Sequence, residues 1–312
     1  LKQPVSPQSI PNRAALSAQD LRGVFLPIPT PFNSAGAIDF GALHSNIAKW
    51  SQTAIGGFVL LGSTGERVNL DEREYLELIA SARENVAERL TFIVGAGQQS
   101  TRGTINEIRR VAASVSVDAF LVITPSFYRP SITQDALVAH YQAVADASPA
   151  PVILYSMPAL TGIRIEPQTA ALLSEHENII GIKDSSNDVA GLAETIKLVP
   201  EDFAVLTGNG TVLQEALAAG ACGGILAVGC VAPELCLEIY SAVKAGEAKR
   251  ASKLQSTLTP LAQAVTTRFG IGGLKAALDL KGYTGGYVRA PLREADSEAR
   301  EEIRRCLELA FL

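Results

Sequence analysis

A (β/α)8 barrel is the fold that this sequence predicts, and three observations carry the prediction. Short apolar runs recur along the chain with starts 20 to 34 residues apart. Amphipathic helical patterns fill the intervals between them. Eight such runs in about 225 residues match the count and length of a TIM barrel.

The runs, in order, are "VFLPI" from Val24, "FVLL" from Phe58, "FIV" from Phe92, "FLVI" from Phe120, "VILY" from Val152, "IIGIK" from Ile179, "AVL" from Ala204 and "GILAV" from Gly224. Most are continuous rather than alternating, as strands of a parallel sheet covered on both faces are. Between the first two, Phe40, Leu43, Ile47 and Trp50 form a helical stripe, with Asp39 placed as N-cap. Leu76, Ile79 and Val86 form the next stripe, where Asp71 and Glu74 have capping-box spacing. Leu137, Tyr141 and Val144 follow Thr133 in the same manner. A doubly wound sheet is the structural alternative, but eight units and no dinucleotide fingerprint after the first strand disfavour it. "PELCLEIYSAVKAG" completes the eighth unit, and the remaining residues suit about three further helices, punctuated by Pro260, Gly270 to Gly273 and "YTGGY" at 283–287. The expected organisation is a polar N-terminal extension over 1–20, a catalytic barrel over 21–245 and a helical extension over 246–312.

Composition narrows the partners. The 312 residues are 47% hydrophobic and 19% charged, with a formal net charge of −5. That balance disfavours nucleic acid or an anionic membrane as the main partner. No run of 18 apolar residues appears, so no membrane-spanning helix is expected. Cys222, Cys230, Cys236 and Cys306 contain no CxxC pair and read as reduced thiols of a cytoplasmic-type compartment, an organelle matrix being the alternative.

In such a barrel, chemistry sits where strands end and βα-loops begin. The second strand ends in "GSTGE" (Gly62 to Glu66), the fourth in "TPSFY" (Thr124 to Tyr128), the fifth at Tyr155 and the sixth at Lys183. A lysine at the end of an apolar run is costly unless it is paired or neutral. Lys183 therefore reads either as a snorkelling lysine paired with Asp184, or as a desolvated amine able to attack a carbonyl. On the neighbouring strand, Tyr155 reads either as a core tyrosine or as a phenol that relays protons beside that amine. "GSTGE" alone is a weak signal, either a plain turn or a cradle of N–H groups for an anion. The Gly208 of "GNG", after the seventh strand, is too short a motif for dinucleotide binding. His44, His140 and His176 show neither HExxH spacing nor a Cys/His cluster, so no metal ligands are visible. A GxSxG elbow is also lacking.

Taken together, "GSTGE", the tyrosine of "YSMPALTG" and the lysine of "GIKDSS" resemble the dihydrodipicolinate synthase/N-acetylneuraminate lyase family of class I aldolases. The resemblance implies a (β/α)8 enzyme that binds pyruvate or another 2-oxo acid through a lysine Schiff base, without cofactor or metal. It implies a homo-oligomer too, a tetramer built as a dimer of dimers. Carried over, Lys183 is the Schiff-base lysine and Tyr155 the proton-transfer residue. Gly62, Ser63 and Thr64 form the carboxylate-binding loop, with Thr64 counted in the catalytic set. Gly208, Leu160, Phe127 and Tyr128 line the substrate side.

Departures bear on the substrate. The synthases resemble "YNxPxRTG", and their arginine position is Leu160 here. Their second relay tyrosine matches Phe127, with Tyr128 adjacent. Where sialic acid lyases hold sugar hydroxyls with an acidic pair, this chain has Gly210 and Thr211. The segment "AVTTRFGIGGLKAALDLKGYTGGYVRAPL" looks most like 4-hydroxy-2-oxoglutarate aldolases and 2-keto-3-deoxy-sugar-acid aldolases. The expectation is a lyase that cleaves or forms a 4-hydroxy-2-oxo acid with pyruvate. The alternatives are a keto-deoxy-sugar-acid dehydratase, dihydrodipicolinate synthase itself, or a non-catalytic small-molecule binding barrel.

Overall fold

A computed structural model describes residues 16–311 of the chain. Eight parallel strands close into a barrel in sequence order, β1 pairing with β8. They are β1 (Gly23–Ile28), β2 (Gly57–Leu60), β3 (Thr91–Ala96), β4 (Ala119–Ile123), β5 (Val152–Ser156), β6 (Ile179–Asp184), β7 (Ala204–Thr207) and β8 (Gly223–Ile225). Each apolar run in the sequence is one of these strands. The last is shorter than its run, because Ala227–Cys230 turns into a 3-10 helix.

Helices α1 (Phe40–Trp50), α2 (Glu72–Asn85), α3 (Thr101–Ser114), α4 (Gln134–Ala147), α5 (Pro158–Thr161), α6 (Pro167–Leu173), α7 (Val189–Leu198), α8 (Leu213–Ala218) and α9 (Pro233–Lys244) connect and cover them. The expected caps form. Asp39 accepts from the Ala42 N–H at 2.9 Å, and Thr133 from that of Ala136 at 3.2 Å. Asp71 and Glu74 close a reciprocal box at 2.8 and 3.1 Å.

Side chains alternate across the strands. Val24, Leu26 and Ile28 of β1 face the helical layer, together with Phe58 and Leu60 of β2. Phe25, Val59, Ile93, Leu121, Ile153 and Leu206 fill the barrel interior. Leu16, Ala18 and Leu21 join that inner cluster, so this part of the 1–20 stretch packs against the barrel; residues 1–15 lie outside the described residues.

Three helices follow the barrel: α10 (Ala248–Gln263), α11 (Gly270–Leu280) and α12 (Ser297–Ala310). Pro260, expected as punctuation, lies inside α10, and the helix continues past it into a π-turn over Ala264–Arg268. The chain breaks helical conformation only at Phe269 and Gly270, where φ at Gly270 is 56°.

Candidate active site

β5 and β6 are adjacent, and their register sets Tyr155 directly against Lys183. Tyr155 belongs to the inner cluster with Ile153, two positions earlier on the same face. Lys183 is 3% exposed, and its Nζ lies 4.3 Å from the centroid of the Tyr155 ring. Among the described residues Lys183 has no carboxylate partner. Asp184 is engaged elsewhere, accepting from the Ser186 N–H at 2.7 Å. The paired-lysine reading therefore loses its partner. What the geometry shows is a buried amine at a strand end, set against a phenol ring.

The loop after β2 approaches from the other side. Ser63 Oγ and Tyr155 Oη are 2.9 Å apart. Ser63–Gly65 form a single 3-10 turn behind Gly62, so the N–H groups of Ser63 and Thr64, first in the turn, have no partner within it. Such N–H groups suit an anion. Thr64 is buried, and Thr30 Oγ1 donates to the Gly65 carbonyl at 2.7 Å. Leu61 and Glu66 bracket the turn with φ of 58° and 53°, left-handed values that side-chain-bearing residues rarely adopt.

Gly208 closes the cluster behind β7. Its N–H donates to the Asp184 carbonyl at 2.5 Å. A Cβ at this position would overlap Ser185 Oγ and lie 2.7 Å from Lys183 Cε. Glycine lets both side chains keep these positions. Ser185 is a residue that motif reading missed: "KDSS" gives it no distinguishing pattern, yet its Oγ and Lys183 Cε lie against the same face of Gly208.

The structure thus brings together Gly62, Ser63, Thr64, Tyr155, Lys183 and Gly208. Phe127 and Tyr128 on the loop after β4, and Leu160 in α5, are 76%, 69% and 64% exposed, and bond to none of that cluster. Phe127 and Tyr128 meet edge to face, their centroids 5.0 Å apart. Arg129, also unassigned in the sequence, lies against Gly162, where a Cβ would come within 2.5 Å of its guanidinium. The histidines serve elsewhere: His44 bonds Ser81 and His140 bonds Thr101, while His176 pairs with Asp146.

A model of the dihydrodipicolinate synthetase family matches residues 20–310, nearly the whole chain. The chain belongs to that family. Curated relatives include the 4-hydroxy-tetrahydrodipicolinate synthase of Methanopyrus kandleri, 34% identical over 91% of this chain and 95% of that one. A 4-hydroxy-tetrahydrodipicolinate synthase of Streptomyces coelicolor is 36% identical over 86% of this chain and 87% of its own length. Among solved structures, the dihydrodipicolinate synthase of Cyanidioschyzon merolae with lysine bound superposes with a TM-score of 0.89 at 26% identity, covering 94% of this chain and 99% of that one. YagE, an E. coli prophage protein of the same family solved in complex with pyruvate, gives 0.86 at 28% identity, covering 93% and 99%. The dihydrodipicolinate synthetase family comprises Schiff-base lyases that use pyruvate, so the family, the barrel and the class of chemistry stand as the sequence resemblance implied.

Proposed function

We propose that this chain is a pyruvate-dependent carbon–carbon lyase in which Lys183 forms the Schiff base. The observation that carries this reading is the buried Lys183 amine against Tyr155, with no carboxylate partner among the described residues. The Ser63 and Thr64 N–H and hydroxyl groups hold the carboxylate of the 2-oxo acid. Lys183 Nζ adds to the C2 carbonyl, water leaves, and the resulting iminium acts as an electron sink. Loss of a C3 proton gives an enamine whose C3 attacks an aldehyde, and Tyr155 donates the proton that the new alkoxide takes up. In reverse, Tyr155 removes the C4 hydroxyl proton, the C3–C4 electrons enter the iminium, and the aldehyde departs. The Ser63 hydroxyl, 2.9 Å from the phenol, extends the proton path. The iminium does the work that a Lewis acid does in other lyases.

For the aldehyde, the names of the curated relatives support aspartate semialdehyde, and hence 4-hydroxy-tetrahydrodipicolinate synthesis. One observation favours a second reading, reversible cleavage of a 4-hydroxy-2-oxo acid: position 160 presents an exposed leucine, without charge for a semialdehyde carboxylate. Both readings require pyruvate trapped on Lys183 by borohydride, located by peptide mass analysis. Label on another lysine overturns the mechanism. Assaying condensation with aspartate semialdehyde beside pyruvate release from 4-hydroxy-2-oxo acids, on one preparation, then decides the aldehyde. The exposed rings of Phe127 and Tyr128 support a homo-oligomer, for which light scattering is the measurement, and four free cysteines support a reducing, cytoplasmic-type compartment.

A further inference from the structure

The carboxylate-binding turn is bracketed by two left-handed residues, and one of them ends in a buried charge. Glu66 is 2% exposed. Its carboxylate accepts from Lys275 Nζ at 2.6 Å, from the Arg289 backbone N–H at 3.0 Å and from Asn69 Nδ2 at 3.2 Å. Lys275 comes from α11, more than two hundred positions along the chain, and is itself only 2% exposed. It donates a second bond to the Tyr287 carbonyl at 2.5 Å.

Arg289 completes the arrangement. Its guanidinium donates to the Asn69 carbonyl at 2.7 Å, to both Glu74 oxygens at 2.6 and 2.7 Å, and to the Gly36 carbonyl at 2.5 Å. Both cations lie over the Phe32 ring, Lys275 Nζ 4.6 Å and Arg289 Cζ 4.3 Å from its centroid. The Tyr287 N–H donates to the Phe32 carbonyl at 2.8 Å. "YTGGY", which reads as punctuation in the sequence, makes this approach possible. A Cβ on Gly285 would overlap the Lys275 backbone, and one on Gly286 would come within 2.7 Å of the Phe32 carbonyl. Two positions that cost strain persist only where their surroundings over-determine them. At Glu66 those surroundings come from the C-terminal extension.

We infer that Glu66, Lys275 and Arg289 are positioning residues: the extension after the barrel locks the Gly62–Gly65 turn in the shape that binds the 2-oxo acid carboxylate. The inference rests on the reading of that turn as the carboxylate site. None of the three residues touches the reacting atoms. Their effect passes through Leu61–Glu66 to the Ser63 and Thr64 N–H groups.

The test reads binding separately from folding. Removing one member of a buried pair leaves the other charge uncompensated and costs stability, so Glu66→Gln and Lys275→Met are each paired with the double variant Glu66→Gln/Lys275→Met, which removes both charges. The readout is the pyruvate concentration that half-saturates borohydride trapping on Lys183, together with KM and kcat. The expected result is a folded double variant whose half-saturating pyruvate and KM rise about tenfold while kcat changes much less, the signature of lost ground-state binding. Arg289→Met, at a half-buried position, serves as the second variant, with a smaller rise of about threefold expected. A folded double variant, or a folded Arg289→Met, with unaltered half-saturation overturns the inference. Failure of the unmodified protein to label at Lys183 instead overturns the reading on which the inference rests, so the two failures are distinct.

Discussion

The two halves of the candidate site are held in place by different means. Tyr155 and Lys183 occupy paired positions on adjacent strands, so backbone hydrogen bonds and side-chain alternation alone place phenol and amine together. The Gly62–Glu66 turn has no such ladder. It is aimed by Thr30, by a buried ion pair reaching to α11, and by Arg289. The difference teaches that the Tyr155–Lys183 pair is placed by local strand register, whereas the Gly62–Glu66 turn is placed by residues far along the chain.

The largest effect breaks the strand half. Lys183→Ala is expected to abolish both trapping and turnover while the circular dichroism spectrum stays that of the parent; residual trapping at another lysine would remove Lys183 from the mechanism. Tyr155→Phe deletes one hydroxyl and keeps the ring. Turnover is expected to fall about 10²–10⁴-fold, the usual contribution of a general acid–base group, while slow trapping of pyruvate persists. A wild-type rate would reassign the relay to Tyr128 or to the Ser63 and Thr64 hydroxyls.

Gly208→Ala probes the same half without touching its chemistry. The added methyl meets Ser185 Oγ and Lys183 Cε, and a displacement of about 1 Å in a reacting group can cost about 10²-fold in kcat. Steady-state kinetics with pyruvate checks it, and an unchanged kcat would mean that the lysine has room to shift.

Ser63→Ala sharpens the comparison from the loop side. It removes the hydroxyl's bond to Tyr155 and its contact with the substrate carboxylate, each worth about 1 kcal/mol, so a loss of about thirtyfold in kcat/KM is expected. A loss as large as that of Tyr155→Phe would show the two hydroxyls acting as one unit.

The smallest effect on activity comes from His140, outside both halves. Burial holds its imidazole down to about 4, below the ordinary value of 6.5, and its Nε2 has no hydrogen-bond partner among the described residues. The unfolded chain takes up a proton as pH falls through 6.5, whereas the folded chain resists until about 4. This contribution to stability is complete above 6.5 and is lost toward 4, up to about 3 kcal/mol in all. Urea midpoints measured across that range should show the slope, and His140→Gln should flatten it. An unchanged slope in the variant would assign the acid sensitivity to other groups.

Much of this was legible in the one-dimensional pattern. Eight apolar runs, alternating with capped helical stripes, specify a closed parallel barrel, because hydrophobic period and chain length leave few ways to bury both faces of the sheet. Tyr155 and Lys183 stood out because a polar group ending a buried strand violates the pattern around it. Ser185, Arg129 and the Glu66–Lys275–Arg289 network violate nothing locally. A serine after "KD", an arginine in a loop and a lysine in a helix are ordinary until the chain closes. Lys275 even falls on a helix whose apolar neighbours, Leu274 and Ala276, are buried as well, so no periodicity marks it as a partner for Glu66.

By itself, then, the sequence determined the barrel, the strand-end positions of the amine and the phenol, and the family to which the chain belongs. The tertiary structure decided which distant charges hold the Gly62–Glu66 turn, and that Lys183 has no carboxylate partner among the described residues. The physical reason is range. Strand register and helix caps act over a few residues, so their signals are written locally. The pairing of Glu66 with Lys275 spans the closed barrel and the extension packed against it, and exists only once both have formed.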